Sequence, residues 1–368
     1  MPRVLAALLL CLSALPIAAQ PAYRIETVAR GLEHPWALAF LPGERALVTE
    51  RPGRLRLVER GVLRAAPVTG VPAVFASGQA GLFDVVPDPQ FEQNGLVYLS
   101  FAAGTRAANH LRVVRARFDG GALHEVTALF QATPDKRGDA HYGARMAFLA
   151  DGTLLVGVGD GFIRREDAQR LDNHFGKFVR LTREGTVPPD NPFVGRAGAQ
   201  PAIFSFGHRN PQAVLYDATR GIVYAHEHGP RGGDELNVLV AGANYGWPLA
   251  SLGLDYTGAR VSPWTEYAGT VAPVLHWTPS IAPAGMTLYR GAAFPAWHDS
   301  LFVAALAERS VRRIALQPDG TPGAQETLFT ELGERLRDVR AAPDGTLWLL
   351  TDADDGRVLR VAPAAGAP

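Results

Sequence analysis

The stretch Ala147-Phe-Leu-Ala-Asp-Gly-Thr-Leu-Leu-Val-Gly-Val-Gly-Asp160 decides the fold. An apolar segment runs into an Asp-Gly turn and returns as a second apolar segment, which is how a buried β-hairpin reads. The same order recurs at Ala37–Glu50, at Phe83–Pro89 with Leu96–Ser100, and at Val214–Ala225. It returns more weakly at Thr287–Gly291 with Leu301–Leu306, and clearly at Val339–Asp352. Several copies end in Asp or Glu. They start roughly 45 to 75 residues apart, room for one four-stranded unit with loops of variable length. Further alternating strands fall between them, such as Arg54–Val58 and Arg357–Val361. No long stripe of helical period interrupts them. Six copies predict an all-β chain: a six-bladed β-propeller of four-stranded antiparallel blades. A pair of β-sandwiches or a solenoid is the competing arrangement. A propeller places function in the loops of one face, around its central channel.

Composition supports a globular domain. The chain has 368 residues, 47% hydrophobic and 20% charged, with 39 glycines and 28 prolines to serve many tight turns. The 36 basic residues balance the 36 acidic ones, so no cationic excess points to nucleic acid or an anionic membrane. Only two of the basic residues, Lys136 and Lys177, are lysines. Arginine suits planar contacts with anions, although a GC-rich genome gives the same bias. Residues 1–19 read as a secretory signal peptide: Arg3, an apolar run Val4–Leu15 too short to span a bilayer, and small residues before Gln20. That predicts an exported, periplasmic protein whose mature domain covers residues 20–368, without a membrane span. The single cysteine, Cys11, falls in the leader, which removes disulfides and thiolate chemistry from the mature chain.

The segments between the copies are dense in Gly, His, Arg, Asn and Asp. Gln79 sits between glycines at the entry to a strand, and His141 stands just before another. Gly207-His-Arg-Asn-Pro-Gln212 and Glu227-His-Gly-Pro-Arg-Gly-Gly-Asp-Glu-Leu-Asn237 are polar turns, and Arg335 and Arg337, at i and i+2, share one strand face. Together they suggest a site for an anionic ligand, with a general base and a hard cation. Arg209, Arg335 and Arg337 can clamp carboxylates or phosphates. His141 can serve as the base with Asp160 as its orienting partner. The Gly229 and Pro230 carbonyls, near Asp234 and Glu235, are oxygen ligands of the kind calcium takes.

These motifs resemble the soluble quinoprotein sugar dehydrogenases, the PQQ-dependent aldose/glucose dehydrogenase family. The resemblance runs from Gly31-Leu-Glu-His-Pro-Trp36 to the last copy, and is most specific in Glu227–Asn237 with Asn244-Tyr-Gly-Trp247, in Gly207–Gln212 and in Arg335–Val339. It implies a six-bladed propeller that oxidises aldoses at the anomeric carbon to lactones. His141 then matches the base that takes the anomeric hydroxyl proton as hydride passes to C5 of PQQ. Asp160 matches its carboxylate partner, and Arg209 the arginine that stabilises charge on the quinone oxygens. Gln79, Asn210, Arg335 and Arg337 match further cofactor contacts. Gly229 and Pro230 match backbone ligands of the calcium that holds PQQ, and Asp234 a residue reaching it through water. Glu235 and the Tyr245 carbonyl match a second, structural calcium site.

There are departures. Ala307 stands where some members of that family carry a lysine on the cofactor, with Arg309 the nearest basic residue that could replace it. The residue before His141 is Ala140, with Asp139 one further back. The loops look shorter than in the glucose-specific members, which favours an open site accepting several aldoses. The preferred sugar, the electron acceptor and the oligomeric state are not legible. His226-Glu-His228 reads as structural rather than as a metal pair, and Asp352-Ala-Asp-Asp-Gly356 as a turn rather than a calcium loop. Trp36, Trp247, Trp277 and Trp297 read as packing, with one of them able to border the substrate. Two other functions compete: a non-enzymatic ligand-binding propeller on the same scaffold, and a calcium-dependent lactonase.

Overall fold

A computed structural model describes residues 21–364. The expected leader, Cys11 with it, lies outside the described residues. Among the described residues, the strands form six four-stranded antiparallel sheets, each a run of consecutive strands save one. Every hairpin copy is the innermost pair of one blade. The inner strands are Pro35–Leu41, Leu82–Pro87, Gly143–Phe148, Pro211–Asp217, Pro283–Tyr289 and Leu336–Ala341. Each touches the inner strands of both neighbouring blades, closing a ring. The weak fifth copy is a full blade, its inner strand paired with Ser300–Ala305. Among the described residues no helix is long and apolar enough to cross a membrane.

The exception closes the ring. The first strand, Tyr23–Leu32, pairs antiparallel with the last, Gly356–Pro363, and supplies the outer strand of the sixth blade. This pairing completes the sixth blade and ties the first blade to the last. The seam is reinforced by aromatic packing. Tyr23 meets Phe329 edge-on at 5.1 Å, and both lie against Trp297, itself buried among Tyr289, Phe294 and Phe302. Trp277 and Trp297 are core residues, as their sequence context suggests.

Apolar side chains pack between the blades, and buried hydroxyls link them. Thr49 of blade one donates to the Phe83 carbonyl of blade two at 2.5 Å. Ser100 of blade two donates to the Ala144 carbonyl of blade three at 2.7 Å. The channel is plugged by one guanidinium. Arg145, 2% exposed, pairs with Asp84 of blade two and Asp338 of blade six, each at 3.3 Å. It also donates to the Gln212 carbonyl of blade four and the Trp36 carbonyl of blade one. Four other blades are thereby fixed to blade three directly beneath the mouth where the polar loops gather.

Candidate active site

Inner strands begin, and second strands end, on the same face. This topology gathers Gln79, His141, Arg209, Asn210, Arg335 and Arg337, which precede or open inner strands. It adds Asp160, Glu227 and Asp352, which close second strands or follow them. The terminal Asp or Glu of the hairpin copies was therefore a positional signal for this face.

His141 is held by three elements. Its backbone lies in the left-handed region (φ 54°), uncommon for a residue other than glycine. The Gln79 side-chain carbonyl accepts from its N–H at 2.9 Å, and its own carbonyl accepts from Gly161 N–H at 3.2 Å. That carbonyl passes close over Gly159, where a Cβ would come within 2.4 Å of it, so glycine is required there. Nδ1 of His141 lies 2.7 Å from Oδ1 of Asp160. Asp160 is wholly buried and also accepts from Phe162 N–H at 2.8 Å and from Trp247 Nε1 at 2.8 Å. With three donors around it, the carboxylate is an obligate acceptor. It fixes the Nδ1–H tautomer of His141 and leaves Nε2, which has no hydrogen-bond partner, free to accept a proton.

Electrostatics favour that state. Burial would raise Asp160, but the His141 bond, the His141 and Arg209 charges and the Phe162 N–H outweigh it and hold the group lowered. Burial lowers His141; the Asp160 bond opposes this, and the Arg209 and Lys136 charges add to it. A neutral imidazole is the form that can act as base.

Arg209 stands beside this pair. Its Nη1 donates to the Gly229 carbonyl at 2.6 Å and the His228 carbonyl at 3.1 Å, while Nε is buried without a partner. The guanidinium lies over the rings of Trp247 and Tyr256, at 5.2 and 5.8 Å. Exposed Phe162 and Tyr256 form an aromatic rim, with the Phe162 ring edge-on to His141 at 5.0 Å.

Next to this group is a cavity of about 210 Å³, lined among others by Gln79, Asn210, Gln212, Arg335, Arg337 and Asp352. Four of the expected cofactor contacts, from three different blades, thus line one cavity. Arg335 and Arg337 both reach Oδ2 of Asp352, at 3.3 and 2.9 Å, as their shared strand face required. His34 approaches the other oxygen at 3.1 Å. Burial would raise Asp352, but Arg337, His34 and Arg335 hold it well below the usual carboxylate range. Arg337 Nε remains buried and unpartnered at this cavity. A larger cavity, about 600 Å³, lies at the hairpin-turn end of blade one, lined by Phe40, Arg45, Trp348 and others and far from these groups.

The glycine-rich turn is adjacent. Gly229, Pro230, Glu227 and Glu235 surround a pocket of about 10 Å³ that also touches Arg209 and Trp247. Asp234 Oδ1 accepts from Gly229 N–H, and Oδ2 from Ser280 and from Ala282 N–H, which braces the turn and leaves Oδ1 one lone pair. Glu235 is pushed up, by desolvation first and the Glu227 charge second. The Tyr245 ring stacks on His208 at 4.6 Å, away from that pocket. His228 Nε2 donates to the Pro283 carbonyl at 2.7 Å. Among the described residues no three His, Cys, Asp or Glu side chains gather as a metal cluster.

The structure adds residues that the sequence reading placed elsewhere. Trp247 does not merely pack; its indole N–H holds Asp160. Asp352, in a segment read only as a turn, anchors both arginines. Arg51 lines the cavity as well. Arg309 does not line the cavity: its guanidinium donates to the Gly333 carbonyl, and Leu306, not Ala307, faces the cavity.

Residues 32–360 match the family described as Glucose / Sorbosone dehydrogenase. The chain is 39% identical to aldose sugar dehydrogenase YliI of Escherichia coli strain K12, over 96% of this chain and 97% of that one. A solved glucose dehydrogenase superposes with a TM-score of 0.90 at 44% identity, covering 93% of this chain and all of its own. The PQQ-bound aldose sugar dehydrogenase of Streptomyces coelicolor superposes with a TM-score of 0.75 at 31% identity, covering 94% of this chain and 99% of its own.

Proposed function

This chain belongs to the glucose/sorbosone dehydrogenase family, and on that footing we propose that it is a PQQ- and calcium-dependent aldose dehydrogenase converting the anomeric carbon to a lactone. The observation that carries this reading is the His141–Asp160 pair, with Nε2 free, beside a cavity lined by unsatisfied arginine.

The residues present fit a flat, polycarboxylate cofactor. Arg335 and Arg337 present guanidinium donors, and Arg337 has an orphaned buried N–H. Gln79 and Asn210 add amides around the same cavity. Bound there, held by Gln79, Asn210, Arg335 and Arg337, PQQ would supply a quinone as the two-electron acceptor. The Gly229 and Pro230 carbonyls, with Asp234, form an oxygen-only donor set suited to calcium. Glu235, whose carboxylate is crowded by Glu227, and the Tyr245 carbonyl are the residues that the resemblance assigns to a second ion.

The chain's own part is to position and to move a proton. His141 Nε2 takes the proton of the anomeric hydroxyl, and Asp160 stabilises the resulting imidazolium. Arg209, with its unpaired Nε, provides positive charge where negative charge develops. Phe162 and Tyr256 offer apolar faces to a sugar ring. Export to the periplasm follows from the leader and is part of the same proposal. The lactonase reading is weaker, because the metal turn offers mainly backbone carbonyls. The binding-propeller reading does not account for a base fixed in one tautomer.

Purified protein should gain aldose-dependent dye reduction only when PQQ and calcium are both supplied, and lose it in chelator and in His141→Ala. A folded protein with no PQQ binding and no activity on any aldose would overturn the proposal.

A further inference from the structure

One of the chain's two lysines is buried beside the proposed base. Lys136 is 4% exposed and makes no hydrogen bond through Nζ. Its backbone is fixed by paired bonds to Asn109, at 2.8 and 3.0 Å. Its ammonium lies over the Tyr142 ring, 3.8 Å from the centroid, and its stem fills the space above Gly161, where a Cβ would come within 2.8 Å of Cδ. It shares a pocket of about 10 Å³ with His110, His141, Tyr142 and Phe175. That volume holds at most one water.

A buried cation without an anion in contact is costly. The charged groups that act on Lys136 are Asp139 and Asp160, which favour its charge against the desolvation that lowers it to about 8. Those acting on His141 are Asp160, Arg209 and Lys136. His110 faces the same pocket, with Nδ1 on Asp135 at 2.8 Å and Nε2 unpartnered. Burial opposes the imidazolium, Asp160 favours it, and the Arg209 and Lys136 charges add to the opposition. A base that must shed its proton each turnover depends on that opposition.

We propose that Lys136 is a positioning residue: its ammonium, held on the Tyr142 ring beside the His141–Asp160 pair, disfavours the imidazolium and returns His141 to its neutral, proton-accepting form. This rests on the reading of His141 as the base.

The test uses ¹⁵N-histidine-labelled protein without added cofactor, following imidazole titration by NMR, with His141→Gln to assign the signal. In Lys136→Met the His141 midpoint should rise by roughly half a pH unit or more, since a nearby unscreened charge acts on this scale. Lys136→Gln should do the same. The acid limb of kcat/KM for the reconstituted enzyme should move up in parallel. A midpoint unchanged in a folded variant overturns the proposal. So does failure of both variants to fold, which would make Lys136 structural. A shifted midpoint in protein that oxidises no aldose would leave the Lys136–His141 coupling standing and sink the dehydrogenase reading instead.

Discussion

Replacing Asp160 by Asn tests the active-site argument most directly, because three donors converge on that carboxylate. His141 Nδ1 and Phe162 N–H meet Oδ1, and Trp247 Nε1 meets Oδ2. Asparagine has one acceptor and one donor end. With its oxygen toward His141, its NH₂ opposes the Trp247 N–H. With its oxygen toward Trp247, its NH₂ opposes the Phe162 N–H and drives His141 into the Nε2–H tautomer, which cannot accept the substrate proton. Each arrangement keeps two bonds and makes one donor–donor clash, so both are populated. In the first, the imidazolium loses a charge-assisted bond of about 1.5–3 kcal/mol, roughly 10- to 100-fold in rate. In the second, catalysis by His141 is lost, and losses near 10⁴-fold attend the equivalent change in the serine-protease triad. We expect kcat to fall about 10²- to 10³-fold, with KM within about threefold of the parent, since the changed group does not contact substrate. Trp247→Phe in the same chain removes the clash from the first arrangement and a bond from the second. Asp160→Asn/Trp247→Phe should therefore recover roughly tenfold over Asp160→Asn alone. Steady-state dye reduction with several aldoses reads both numbers, and thermal melts confirm folding. A single variant with kcat within about threefold of the parent, or a double variant no better than the single, would refute the reasoning.

Two further outcomes follow from buried charge. Arg145→Met strips the shared cation from Asp84 and Asp338; because Arg340 still reaches both carboxylates, at 3.8 and 3.0 Å, the loss should be about 3 kcal/mol, seen as a Tm lower by several degrees, and an unchanged Tm would contradict the channel-plug argument. Asp217 is buried yet lowered to about 2, burial opposing and Arg290, Arg220 and the Thr219 N–H prevailing. Its folded-state value lies below the unfolded value near 3.9, so its contribution is full above about pH 4 and fades as pH falls toward 2. Urea unfolding across that window should show a shallower acid loss in Asp217→Asn than in the parent, and parallel curves would refute the assignment.

Part of this protein was written locally and part was not. The hairpin copies are short-range patterns of apolar runs and turn residues, so their number, and with it the six blades, could be read along the chain. The inner-strand entries carry Gln79, His141, Arg209, Asn210, Arg335 and Arg337, and once the blades are counted those residues must share a face. The Arg335–Arg337 spacing likewise fixed their common direction. What joins separate blades could not be read, because it brings together residues far apart in sequence. Trp247 meets Asp160 from the next blade, and Arg145 spans the ring, whereas Asp352 meets the arginines within the last hairpin. Lys136 and His141 are five residues apart, yet only folding puts the ammonium against Tyr142 and the pair. The closing strand is the extreme case: Tyr23 pairs with Pro363 because a ring must close, a constraint that belongs to the whole circle of blades and to no segment of it.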